Sequence, residues 1–193
     1  MAEPPTRLSD GARRRLLEIA RASVEAAVRR QPAPRIEAVE PELEQHSGAF
    51  VTLTSGHRLR GCIGRFEARE PLWRVVAAMA RAASTEDYRF SGDPITPAEV
   101  PELSIEISVL SPMQQIANPL DIVLGVHGIY VVGKGGLGAG TYLPQVATEF
   151  HMTKEEFLSS CCAHKAGLRP DAWRTGEADV FVYTAEVFGE QER

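Results

Sequence analysis

The chain has 193 residues, 44% of them hydrophobic and 24% charged, with a net charge of −5 at pH 7. That length can bury a core unaided as one domain, and the acidic balance argues against a general nucleic-acid or anionic-membrane surface, which needs a basic face. No apolar run approaches the ~20 residues of a bilayer span, and three cysteines, two of them adjacent, make no disulfide framework.

Residues 1–7 are polar and proline-bearing, so a mobile N-terminus is expected, as it is for residues 191–193. The start lacks the charged-then-apolar order of a secretory leader, and a cytoplasmic protein is expected. Ser9 is placed to cap a helix running to about Arg30, with Leu16, Leu17, Ala20, Val24, Ala27 and Val28 as its apolar stripe. The helix arginines fall on the other side, a solvated face. Pro32, Pro34 and Pro41 then mark a linker that cannot continue the helix.

Ala49 to Thr54 reads as a strand, Ser55-Gly56-His57 as a turn and Arg58 to Arg65 as the antiparallel return. The return strand contains Leu59-Arg60-Gly61-Cys62-Ile63-Gly64. Strict alternation puts Leu59, Gly61 and Ile63 on the core face and Arg60, Cys62 and Gly64 on the other. A thiol beside a guanidinium favours the thiolate, the nucleophilic form, and Gly64 leaves room for a backbone or a ligand. The competing reading is that Cys62 is a small buried hydrophobe.

A helix is expected from about Pro71 to Ala83, with Val75, Val76, Met79 and Ala83 at core spacing. Leu103, Ile105, Ile107 and Val109 alternate with Ser104, Glu106 and Ser108, the pattern of a half-buried strand. Gly128 to Val132, a glycine-rich connection and Thr141 to Leu143 read as a second hairpin. After Pro144 comes a short helix, then a stronger one with Thr153 and Glu156 as capping box and Gly167 as C-cap. Val180 to Phe188 reads as one closing strand. The expected fold is α+β: two hairpin–helix–strand repeats sharing a mainly antiparallel sheet that curls toward a barrel, with helices packed outside.

Two formal motifs carry no site. Gly133-Lys-Gly135-Gly-Leu-Gly138 matches G-x-G-x-x-G, but a strand and Pro144 follow where a dinucleotide site needs a helix. Cys161 and His164 share a helix face while Cys162 points elsewhere, and no second ligand pair has metal spacing. Neither a metal nor a cofactor is expected, and His46, His57 and His151 read as surface or turn residues.

Gly48-Ala-Phe50-Val51-Thr52-Leu53 followed by Leu59–Gly64 resembles the signature of the AMMECR-domain family, whose bacterial and archaeal members are often called AmmeMemoRadiSam system protein A. Further stretches agree in the family's order: Asp87-Tyr-Arg89-Phe90, Thr96 to Pro112, Gly125-Val-His127-Gly128-Ile129, Thr141 to Val146, and Lys165 to Leu168 with Trp173. The resemblance covers residues 8–190 as a single domain and implies a two-repeat α+β arrangement. The chain departs from the family at Tyr88, where proline is common, at Arg65, where a small residue is usual, and at His127, where many relatives carry an acid.

Two functions follow. As a small-molecule enzyme of acyl-transfer or hydrolysis type, the chain would use Cys62 as nucleophile, with His127 or Glu106 moving protons. Arg60 would steady the thiolate or an anionic substrate, Gly61 and Gly64 would shape the site, and Thr141 and Gln145 would orient the substrate from a shared cleft. As a non-catalytic component, it would dock onto or carry substrate for the partners that the family name implies. These are a Memo-like protein, resembling extradiol dioxygenases, and a radical S-adenosylmethionine protein. This chain has no iron–sulfur cysteine motif, so radical chemistry would belong to the partner.

Overall fold

Ser9 caps the first helix as its residue type predicts: its Oγ accepts the Ala12 N–H at 3.2 Å, and α1 runs Asp10–Val28. The computed structural model describes residues 8–36, 40–66 and 69–190. The mobile termini expected at 1–7 and 191–193 lie outside the described residues. The hairpin follows as β1 (Ala49–Ser55) and β2 (Arg58–Arg65). Helix α2 (Leu72–Thr85) starts just after Pro71, and β3 (Leu103–Leu110) completes the first half of the chain.

The remaining elements are β4 (Gln114–Gln115), β5 (Gly128–Gly133), β6 (Ala139–Tyr142), α3 (Pro144–Glu149), α4 (Lys154–His164), α5 (Ala172–Thr175), β7 (Ala178–Tyr183) and β8 (Ala185–Gly189). The capping box of α4 is complete: Thr153 Oγ1 accepts from Glu156 N and Glu156 Oε2 accepts from Thr153 N. Gly167, at φ 67°, follows the helix where a left-handed residue is needed.

The described residues divide into two compact units, 8–110 with 186–190, and 111–185. Each has its own four-stranded sheet, in the order β2-β1-β3-β8 and β4-β7-β5-β6. The shared, barrel-like sheet expected from sequence is therefore replaced by two open sheets. The single closing strand expected over Val180–Phe188 is also divided. It breaks at Thr184, whose N–H donates to Ser111 Oγ and whose carbonyl accepts from Ser111 N, both at 2.9 Å. These bonds interrupt the ladder, so β7 and β8 join different sheets.

In the first unit one face of the sheet is buried: Val51 and Leu53 of β1 and Ile105, Ile107 and Val109 of β3 meet Leu16, Ala20 and Val24 of α1 and Leu72, Val76 and Ala80 of α2. Not all α1 arginines are solvated. Arg13 pairs with Glu186, and Arg21 binds Glu190 and the carbonyls of Val100 and Leu103. These bonds tie the end of β8 to α1. The second unit has a separate core of Ile129, Val131, Val180 and Val182 under Phe157, Leu158, Cys161 and Cys162 of α4. Among the described residues, no helix is long and apolar enough to cross a membrane.

Candidate functional site

The geometry of the LRGCIG stretch is decided by a β-bulge. Ser55 pairs with Arg58 and Thr54 with Leu59, but the next partner of Leu53 is Gly61, so Arg60 is an extra residue on β2. Without it, Cys62 would stand opposite Val51 and face the core, because a one-residue slip exchanges the two faces of a strand. With it, Cys62 stands opposite Thr52, on the face away from Val51 and Leu53. Leu59, expected in the core, is carried to that same face and is 36% exposed.

The bulge also moves Arg60. Its side chain, expected beside the thiol, is 2% exposed and fully engaged: Nε and Nη2 donate to Glu99, Nη1 to Asp93 Oδ2 and Nη2 to the Asp93 carbonyl. A buried guanidinium is tolerable when it is paired and bonded in this way. Glu99 holds Arg60 charged, and Arg60 in turn lowers the Glu99 pKa. Arg60 therefore fastens the 93–99 segment to β2 and has no nitrogen left for a substrate.

Gly61 lies on the core side. A Cβ there would fall 2.0 Å from the Ala83 carbonyl oxygen, so the glycine is what lets the end of α2 reach the strand. Gly64 is on the Cys62 face, but the Phe50 ring fills the space above it, 2.3 Å from where a Cβ would be. The room expected for a ligand at Gly64 is taken by that ring.

Cys62 itself is half-buried, and Thr52 Oγ1 donates to its Sγ at 3.2 Å. β2 is the edge of its sheet, and the outward N–H and C=O of Cys62 are met by side chains instead of a strand. Asp87 Oδ2 accepts the Cys62 N–H at 2.9 Å, and Arg89 Nη2 donates to the Cys62 carbonyl at 3.1 Å. Asp87 and Arg89 are joined by two further bonds, Nε to Oδ1 at 2.9 Å and Nη2 to Oδ2 at 2.6 Å. Chiefly through the Arg89 bonds, and against its burial, the Asp87 carboxyl is held down to about 2. Asp87, Arg89 and Thr52 are the site residues that the sequence reading missed. Asp87 and Arg89 lie in a stretch that matches the family, but only the edge position of β2 shows what they clamp.

Glu106 stands opposite Thr52 on the other side of β1, so Cys62, Thr52 and Glu106 form one row across three strands. The Cys62–Thr52 pair does not exchange backbone bonds and the Thr52–Glu106 pair does, which sets Cys62 and Glu106 roughly 10 Å apart at Cα. Arg60 is paired with Glu99 and Asp93, and Arg89 with Asp87.

The other expected site residues belong to the second unit. His127 Nδ1 accepts the Val123 N–H at 3.2 Å, closing the turn before β5, and burial lowers its pKa. Thr141 Oγ1 donates to the Ile129 carbonyl at 2.7 Å and lies 2.8 Å from the hydroxyl of buried Tyr183, which donates to the Tyr142 carbonyl. Thr141 thus serves a buried hydroxyl network. Gln145 is half-buried in the first turn of α3. Cys161 and Cys162 are core residues, and burial pushes the Cys161 thiol up to about 12. A shallow concavity of about 560 Å³ lies along α4, lined in part by Phe150, His151, Glu156, Ser160 and His164. No cluster of three or more His, Cys, Asp or Glu side chains able to hold a metal occurs among the described residues.

A protein of Methanothermobacter thermautotrophicus is 38% identical over 184 residues, covering 92% of this chain and 93% of the relative. A Methanosarcina mazei protein is 36% identical over 188 residues, covering 93% and 92%. The crystal structure of the uncharacterized protein PH0010 from Pyrococcus horikoshii superposes with a TM-score of 0.86 at 33% identity, over 95% of this chain and 94% of that one. The AMMECR1 family model matches residues 17–188, which include the bulged strand, its clamp and both sheets. The chain belongs to the AMMECR1 family.

Proposed function

We propose that the sheet face around Cys62 is a small-molecule site and that Cys62 is its nucleophile in acyl transfer or hydrolysis. The observation that carries this reading is the Thr52 Oγ1 hydrogen bond to Sγ on a half-exposed residue whose peptide is clamped on both sides. The donor orients the sulfur, and a fixed peptide holds the nucleophile without reorganisation. Sγ attacks the acyl carbon, an S–C bond forms, and the leaving group departs with the bonding pair. Glu106, across the row, takes the Sγ proton through water as the attack begins and passes it to the leaving group. A second water then splits the thioester, returning the proton to sulfur. His127, Thr141 and Gln145 have backbone and core partners or a place in the second unit and are not assigned to this step.

Mass-spectrometric alkylation of the native protein tests the reading. Cys62 is expected to react with iodoacetamide while Cys161 and Cys162 do not. Reaction of Cys62 only after denaturation would remove the nucleophile and make the motif a packing device.

A second reading is a docking or carrier component for a Memo-like and a radical S-adenosylmethionine protein. What favours it is the exposure of large apolar side chains in the second unit: Val123 at 50%, Val126 at 51% and Phe150 at 67%. Gentle-salt purification from native extract with neither partner would remove this reading. The matching strand orders, β2-β1-β3 and β6-β5-β7, support the proposal that the two units arose by duplication.

A further inference from the structure

We infer that Arg89 selects the substrate at this site, and that the electrophile presented to Cys62 carries a carboxylate beside its reactive carbon. The inference rests on the Cys62 reading above and adds the chemical class of what Cys62 attacks.

Arg89 Nε donates to Asp87 Oδ1, and Nη2 donates to Asp87 Oδ2 and to the Cys62 carbonyl. Nη1 makes no hydrogen bond among the described residues, the guanidinium lies over the Phe90 ring at 5.5 Å, and the side chain is 46% exposed. Three bonds therefore fix the plane of the fork while one of its nitrogens, with two N–H groups, is left for a ligand. A fork fixed in advance loses little freedom on binding. Its position is set by the nucleophile's own peptide: Nη2 is 3.1 Å from the Cys62 carbonyl oxygen. A ligand on Nη1 is thus held beside the residue that reacts.

The competing cation is closed off. Arg60 is 2% exposed, and its three nitrogens are all bonded to Glu99 and Asp93. Charge further narrows the ligand. Asp87 already shares the Arg89 fork, and Glu106 lies on the same sheet face as Cys62. A dianion such as phosphate is repelled by both carboxylates about twice as strongly as a monoanionic carboxylate, which needs only one oriented donor. The Phe50 ring over Gly64 limits the space on the far side of Cys62, which suits a short molecule with carboxylate and electrophilic carbon adjacent.

Iodoacetate has this layout, and iodoacetamide is its neutral counterpart. In either case an S–C bond forms, the C–I bond breaks and iodide leaves. The experiment measures alkylation rates of Cys62 in the native full chain with both reagents, and of N-acetylcysteine in the same buffer. The iodoacetate-to-iodoacetamide ratio at Cys62 is expected to exceed that of the free thiol by about tenfold, the scale of one charge-assisted hydrogen bond. Arg89→Gln should bring the ratio down to the free-thiol value, and Arg89→Lys should keep part of the excess. Because Arg89→Gln leaves Asp87 without its ion-pair partner and can unfold the chain, the unmodified protein is also measured at rising sodium chloride. The excess should collapse as the half-exposed guanidinium is screened. If both reagents modify Cys62 at the free-thiol ratio, Arg89 selectivity is overturned while the nucleophile reading stands. If neither modifies native Cys62, the nucleophile reading falls and this inference with it.

Discussion

Asp87→Asn tests whether the clamp on Cys62 is a true structural joint. The Asp87 side chain is 2% exposed and accepts from Cys62 N, Arg89 Nε, Arg89 Nη2 and, at 3.3 Å, Arg89 N. Its pKa falls from 3.8 to about 2 in the folded chain, mainly through the Arg89 bonds. Since the folded value is the lower one, the stability from this ionisation is fully present above about pH 4 and is lost as pH falls through about 2. That drop is worth about 2 kcal/mol between pH 5 and pH 2. Asparagine also replaces one acceptor oxygen by a donor, leaving either the Cys62 N–H or one arm of the Arg89 fork facing an N–H, at about 1 kcal/mol or more. Urea unfolding should therefore show Asp87→Asn less stable than the parent by about 3 kcal/mol at pH 5 and by about 1 kcal/mol at pH 2. A gap below about 1 kcal/mol at pH 5, or one that does not shrink on acidification, would refute the reasoning.

The same geometry makes further predictions. Thr52→Val removes the donor to Sγ and should slow iodoacetamide alkylation of native Cys62 severalfold near neutral pH without unfolding the chain; an unchanged rate would detach Thr52 from the site. Gly61→Ala places a Cβ 2.0 Å from the Ala83 carbonyl oxygen and should cost about 1–3 kcal/mol in denaturant unfolding, because backbone on both sides must shift. A neutral result there would mean that α2 does not approach β2 so closely. Tyr183→Phe removes the hydroxyl shared with Thr141 and the Tyr142 carbonyl and should cost about 1–2 kcal/mol, read as a lower urea midpoint at unchanged slope. His127, depressed by burial, should titrate by NMR below its ordinary 6.5, so that what its neutral ring adds to stability is lost as pH falls. A titration at or above 6.5 would contradict its place in the turn.

Much of the fold is legible as local pattern. Ser9, the Thr153–Glu156 box and Gly167 mark helix ends through hydrogen bonds made within a few residues. The alternation from Leu103 to Val109 fixes which side of β3 is buried, because one face of that sheet meets two helices. The split of the last apolar run was not legible. Residues 180–188 form one strand-like, largely apolar run with no turn residue in it, and the break at Thr184 depends on Ser111, distant in sequence. Thr52 and Arg89 stayed hidden as site residues for the same reason: one is placed by a pairing register, the other by an unpaired edge.

The sequence by itself determined that this is an α+β chain of the AMMECR1 family, with an antiparallel hairpin carrying Cys62 on its return strand. Residue types and short-range periods suffice for that, since helix caps, turns and apolar stripes act over a turn or a strand. Alternation already put Cys62 on the face away from Gly61 and Ile63, and the structure keeps it there. Only the tertiary structure decided the register that does so and which cation accompanies it. A regular hairpin from the Gly56-His57 turn sets Cys62 against Val51 in the core; the extra residue at Arg60 sets it against Thr52 on the opposite face. That bulge is held by contacts no local pattern contains, the burial of Arg60 between Glu99 and Asp93 and the close approach of α2 at Gly61. The cation at the thiol's peptide is consequently Arg89, bound to the edge of β2, and not the arginine two residues away in sequence.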